Sequence, residues 1–142
     1  MRNPARLMCT ALAGLALATL PVPAGGAEPG DTGRITVDPV GHVTPAGDVR
    51  LSGTYRCYGD GSEDPVFVSS TLKQHGANQS VGGTNARCDG RVHRWVNEEH
   101  QQWTAFTPGP SRVEAHILRL SERSGLPLPA FLASRERTVV LR

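Results

Sequence analysis

Lysine is almost missing from this chain and aromatic side chains are sparse: 142 residues hold one Lys, two Trp, two Tyr and three Phe. Three cysteines are too few for a disulfide-dense scaffold, and no C-x-x-C occurs, which argues against a redox or structural zinc motif. There is no G-x-S-x-G, phosphate loop or dinucleotide fingerprint. Gly109-Pro110-Ser111-Arg112-Val113 starts like a nucleophile elbow but ends on valine, and Pro110 precludes the strand-to-helix turn. Excess positive charge is missing as well. The formal +2 belongs to Arg2 and Arg6; from Glu28 onward 13 basic residues balance 13 acidic ones. A neutral chain argues against nucleic acid, because phosphate binding needs clustered Lys and Arg.

What the chain does have begins at its N-terminus. Residues 1–27 hold 16 of the 54 hydrophobic residues. Arg2 and Arg6 precede an apolar run from Leu7 to Leu20, ended by Pro21 and Pro23 ahead of small residues, the pattern of a secretory signal. Fourteen residues are too short to span a bilayer, which takes about 20. Cleavage is expected after Ala27, with Ala24 as the alternative. The expected organisation is a signal peptide over 1–27, a polar leader over 28–33 and one domain over 34–142, located outside the cell. Cys9 leaves with the signal, so Cys57 and Cys88 remain as an even pair in an oxidising compartment, and a disulfide is expected. Closing a loop of that length contributes about 3.5 kcal/mol on the chain-entropy estimate.

The body reads as strands. Val49, Leu51, Gly53, Tyr55 and Cys57 alternate with Arg50, Ser52, Thr54 and Arg56, the period of a half-buried strand. Val66 to Leu72 is β-branched and aromatic, and Val113, Ala115 and Ile117 alternate before Leu118 and Leu120 continue on the opposite parity, which predicts a bulge or a strand buried on both faces near its end. Gly76 to Gly83 reads as turn chemistry with a short strand at best, and Asn97 to Pro110 as a polar connection. Leu126 to Phe131 lacks the P-x-x-P spacing of a polyproline ligand, the alternative for this segment, and reads as a crossover covering the core, with Thr138 to Leu141 as a last strand. No long amphipathic helix appears after the signal. About seven short strands separated by turns predict an all-β, immunoglobulin-like two-sheet antiparallel sandwich with one disulfide. No Trp lies between the two cysteines, a departure from true immunoglobulin domains that leaves strand order open.

Four blocks fall in a familiar order: Gly53-Thr54-Tyr55-Arg56-Cys57, Val66-Phe67-Val68-Ser69-Ser70, Cys88-Asp89-Gly90 with His93 and Trp95, and Leu126-Pro127-Leu128-Pro129-Ala130-Phe131. Together they resemble a family of short secreted actinobacterial proteins, domain of unknown function 6299. The resemblance implies export, a disulfide and an all-β fold, and it implies no activity. Fourteen arginines to one lysine fit a GC-rich genome such as that of a Streptomyces.

The chemistry-bearing residues are scattered. His42, His75, His93, His100 and His116 show no short metal-ligand spacing, so no metal or other cofactor is expected. Asp60 to Asp64 starts like a calcium loop, but Pro65 stands where the glycine is needed and Thr71 where the bidentate Glu belongs. Asn78-Gln79-Ser80 is a glycosylation sequon of the kind that arises by chance. Trp103 and Phe106 stand in an otherwise polar stretch and are the candidate binding residues, set against burial as a lid over one end of the sandwich, the ordinary fate of an aromatic side chain. The function expected is a secreted, non-enzymatic β-sandwich that binds a protein, a polymer or a small ligand, with no membrane contact after signal removal. An exported small-molecule carrier and a hydrolase without a recognised motif are the alternatives.

Overall fold

The computed structural model describes residues 32–102, 106–122 and 125–142. Residues 1–31, which include the expected signal peptide and most of the expected leader, and Trp103 lie outside them. The clearest alternation in the sequence becomes strand β3 (Asp48–Cys57), whose odd-numbered residues are buried and whose even-numbered ones face outward. Strands β1 (Gly33–Ile35) and β2 (Val40–Val43) lie end to end along one side of β3, with Gly33 opposite Cys57 and His42 opposite Arg50. Strand β6 (His93–His100) flanks the other side, with Gly53 opposite Trp95. Strands β8 (Leu128–Leu141), β7 (Gly109–Ser121), β4 (Val66–Gln74) and β5 (Ala77–Asn85) form an antiparallel run in that order. Strand β2 joins the two groups by a short parallel pairing to β8 at Val140 and Leu141. The result is all-β, one open sheet of eight strands with no helix among the described residues.

The inward residues of both groups meet in one apolar core. Val49, Leu51 and Tyr55 of β3 and Trp95 of β6 lie in one cluster with Val68 and Leu72 of β4 and Val113, Ala115 and Ile117 of β7. Gly53 makes the Trp95 position possible: a Cβ there would lie 2.0 Å from the Thr36 carbonyl oxygen and 2.7 Å from the indole nitrogen. The indole N–H instead donates to that carbonyl over 2.9 Å. Asn97, also buried, crosses from β6 to β4, its amide donating to the Val68 carbonyl and to Ser70 Oγ while its Oδ1 accepts from Thr84. Every polar atom of that side chain is partnered, so its burial is tolerated.

Several expectations change in detail. Ala77–Asn85 is a full nine-residue strand where glycine and asparagine had read as a turn. Gly82, at φ +50°, sits where a Cβ would meet the Glu98 carbonyl oxygen at 2.6 Å, so the glycine serves the close approach of β5 to β6. Strand β6 runs three residues past Asn97, into the stretch read as a polar connection. The parity change after Ile117 is not a bulge in β7, which keeps its register against β4 through Arg119, so Leu118 and Leu120 face outward. The bulge lies in the partner strand, where the β7 to β8 register slips between Ile117 and Leu118 with Leu132 as the extra residue. Leu126 to Phe131 does not cover the core. Its second half opens β8 and leaves Leu128 and Phe131 in solvent.

Candidate interaction surface

Cys57 closes the inner face of β3 and is bonded to Cys88 in the connection after β5, with 4.5 Å between their Cα atoms. The bond defines one end of the domain, where β1, β6 and β8 begin and β3, β5 and β7 finish. Phe106, one of the two candidate contact residues, lies at the opposite end and is only 7% exposed, inside the core cluster. The Gln74 amide holds the chain beside it, donating to the Thr107 carbonyl and accepting the Thr107 N–H, each over 2.9 Å. Phe106 therefore presents no free surface, and its partner Trp103 lies outside the described residues.

The apolar surface lies elsewhere, on the outer face of β4, β7 and β8. Val68, Ser70 and Leu72 point inward opposite Ile117, Ala115 and Val113, so Phe67, Ser69, Thr71 and Lys73 point outward with their partners Leu118, His116, Glu114 and Arg112. Leu118 in turn pairs with Phe131. Phe67, Leu118 and Phe131 thus form an apolar row across three adjacent strands on the solvent side, and Leu120 with Pro129 extends it by one pair. Phe131 is 62% exposed, and Leu126 and Leu128 beside it are 69% and 59% exposed. Toward the other end the same face turns polar. The sequence carried these residues in plain view, but only strand register places them in one row.

Next to the row stands a hydrogen-bonded chain. The Ser134 hydroxyl lies 2.8 Å from His116 Nδ1, Glu114 Oε1 lies 3.3 Å from His116 Nε2, and Lys73 donates to Glu114 Oε2 over 2.7 Å. The Lys73 ammonium, with its hydrogen bond, holds the Glu114 carboxyl below its ordinary range, so the glutamate is anionic near neutral pH. The Phe131 ring meets the His116 ring edge to face, 5.2 Å between centroids.

The outer face of β2, β3 and β6 is a polar ladder. His42, Asp48, Arg50, Glu98 and His100 line an open recess there, in which Arg50 pairs with Glu98 at 3.0 Å and His100 with Asp48 at 2.9 Å. The bond to His100, then that from Thr44, lowers the Asp48 pKa. At the disulfide end His93 does the same to Asp89 across 2.7 Å. The acidic turn at Asp60 closes on itself: Asp60 accepts the Ser62 N–H at 2.9 Å and holds the Arg119 guanidinium. Among the described residues no three His, Cys, Asp or Glu side chains are grouped to hold a metal ion.

Fold and surface together define a disulfide-closed all-β domain with an outward apolar row on one sheet face, half-buried at Phe67 and Leu118 and exposed at Phe131. The chain belongs to a family of unknown function, DUF6299, whose model matches residues 31–142. Among curated proteins none matches it.

Proposed function

We propose that this chain is an exported, non-enzymatic binding module, built as an immunoglobulin-like two-sheet sandwich, and that its contact surface is the outer face of β4, β7 and β8. One observation carries this reading: the Phe67, Leu118 and Phe131 row on the outer face, in which Phe131 stands exposed beside half-buried Phe67 and Leu118. Exposed apolar residues gathered in one contiguous patch, instead of scattered singly, mark interaction sites. The division of the strands supports the sandwich, with β1, β2, β3 and β6 in one group and β8, β7, β4 and β5 in the other. Export fits a chain that keeps a disulfide and starts with a signal-like segment. The test is retention of the exported protein on washed cell envelopes of its source organism. Leu128→Ser with Phe131→Ser should abolish retention while leaving the fold intact; unaltered retention overturns the assignment of this face.

A hydrolase is the second reading, favoured by the Ser134, His116 and Glu114 chain, which has the order of nucleophile, base and orienting acid. It lies on an open sheet face and lines none of the recesses described above, so binding is preferred. Ser134→Ala decides this: loss of p-nitrophenyl butyrate hydrolysis by the purified protein would establish the enzyme, and no hydrolysis by the wild type would dismiss it. The carrier reading needs an enclosed apolar cleft, whereas the recess on β2, β3 and β6 is walled by His42, Asp48, Arg50 and Glu98.

A further inference from the structure

The partner of this surface can be narrowed, a step that rests on the binding-module reading above. Six large hydrophobic side chains are exposed among the described residues, and five of them, Tyr58, Val92, Leu126, Leu128 and Phe131, stand at the disulfide end. Tyr58 follows Cys57 and bridges to Asp89, Val92 leads into β6, Leu126 belongs to the turn between β7 and β8, and Leu128 opens β8. They come from three separate stretches of chain, of which 126–131 is one apolar run, and the topology brings Tyr58 and Val92 to the same end.

Basic side chains stand at the same end. Arg34 and Arg56 are direct cross-strand partners on the outer face of β1 and β3, both exposed and neither in an ion pair among the described residues. Like charges placed directly opposite are unfavourable, so this pair lowers stability unless an anion shares it. The Arg56 guanidinium lies 5.8 Å from the centre of the Tyr58 ring, joining the basic pair to the apolar set. Arg91 stands beside Val92. The nearby carboxylates without an ion pair, Glu63, Asp64 and Glu122, belong to the 59–65 connection and the β7 to β8 hairpin and not to the strand face of the arginines.

The chain also enters the domain here. The Tyr58 N–H donates to the Thr32 carbonyl at 3.3 Å, and the Thr32 hydroxyl reaches the Leu132 carbonyl at 3.5 Å. The segment with the apolar run Leu7 to Leu20 therefore precedes this end, separated from Thr32 by 11 residues. Fully extended, those residues reach at most about 40 Å. While the N-terminal segment is engaged with a bilayer, this is the end held next to the lipid.

We infer that the disulfide end docks on an anionic lipid bilayer, with Leu126, Leu128 and Phe131 entering the headgroup boundary and Arg34 and Arg56 meeting lipid phosphates. Apolar side chains supply partition into the interface and arginines add attraction to anionic headgroups. The inference departs from the expectation of no membrane contact after signal removal, which came from a chain whose relevant residues are dispersed.

Flotation of the exported protein with vesicles tests it, using equimolar phosphatidylglycerol and phosphatidylcholine against phosphatidylcholine alone at low salt. The wild type should float with the anionic vesicles and far less with the neutral ones. Arg34→Gln with Arg56→Gln should weaken anionic binding about thirtyfold, from the loss of two charges near the surface. The same variant should keep or raise the denaturation midpoint, since the two charges repel. Leu126→Ser with Leu128→Ser should weaken binding by at least about tenfold at an unchanged midpoint. No flotation of the wild type, or flotation indifferent to both variants, overturns the inference. Equal retention on intact and delipidated envelopes also overturns it while leaving a binding module with another partner; no retention on either removes the module reading too.

Discussion

Strand β6 begins and ends on a histidine held by an aspartate, His93 by Asp89 at the disulfide end and His100 by Asp48 at the other. Polar chemistry is thus similar at the two ends. Their phenylalanines differ: Phe106 is folded into the core, whereas Phe131 stands in solvent on the face of β8. The cause is backbone control. At the Phe106 end the Gln74 amide clamps Thr107 from both sides and turns the ring inward. At the Phe131 end the bulge at Leu132 sends Leu132 into the core and leaves Phe131 outward, opposite Leu118. An exposed aromatic next to a satisfied core is surplus to folding, so it is available for contact.

Breaking the contrast at its strongest point gives the largest effect. Phe106→Ala should lower unfolding free energy by about 3 to 5 kcal/mol in urea denaturation, as for other buried phenylalanines. A loss under 1 kcal/mol, on the order of an exposed site, would mean that the opposite end is not closed. Next comes the covalent link. Cys57→Ala with Cys88→Ala should cost about 2 to 5 kcal/mol, and an unchanged midpoint would show that the bond constrains nothing. Gln74→Ala should cost about 1 to 3 kcal/mol, since it removes both bonds to Thr107, and near-ultraviolet circular dichroism or the NMR signals of Phe106 should then report a looser ring.

The smallest effect concerns pH and tests the likeness between the ends. Hydrogen bonds from His100 and His93 hold Asp48 and Asp89 below their ordinary value of 3.8. The unfolded chain then binds protons more readily, so the stabilisation is complete above that value and is lost as pH falls through the lower folded pKa. The thermal midpoint should therefore drop between pH 4 and lower pH, and Asp48→Asn and Asp89→Asn should each flatten the drop to a similar extent. Unequal flattening would show that one pair is coupled to more than its histidine.

Much of the interior was legible before any coordinates. In β3 one face is buried and the other wet, so Val49, Leu51, Tyr55 and Cys57 announce themselves by period alone, whereas the parity change after Ile117 reflects leucines on the outer face of a regular β7 and the bulge sits in β8. The cysteine count similarly pointed to the Cys57 to Cys88 bond. Strand β5 was not legible, because Gly82, Gly83 and its asparagines have turn chemistry, and what recruits them is the approach of β6, a tertiary effect. The apolar surface was not legible for the complementary reason. Phe106 sits among polar neighbours and is buried, while Leu126 to Phe131 is an apolar run whose side chains are largely exposed. Local composition reports what a segment is made of, not which way a strand faces. The Phe67, Leu118 and Phe131 row needs three strands in register before it exists at all.

The central claim is that the disulfide end carries apolar surface for contact and not for folding. Its most direct test measures the denaturation midpoint and envelope retention of the Leu128→Ser, Phe131→Ser protein in parallel. The account predicts a midpoint within about 1 kcal/mol of wild type, as for exposed sites, together with loss of retention. A destabilisation of several kcal/mol, or retention equal to wild type, would contradict it.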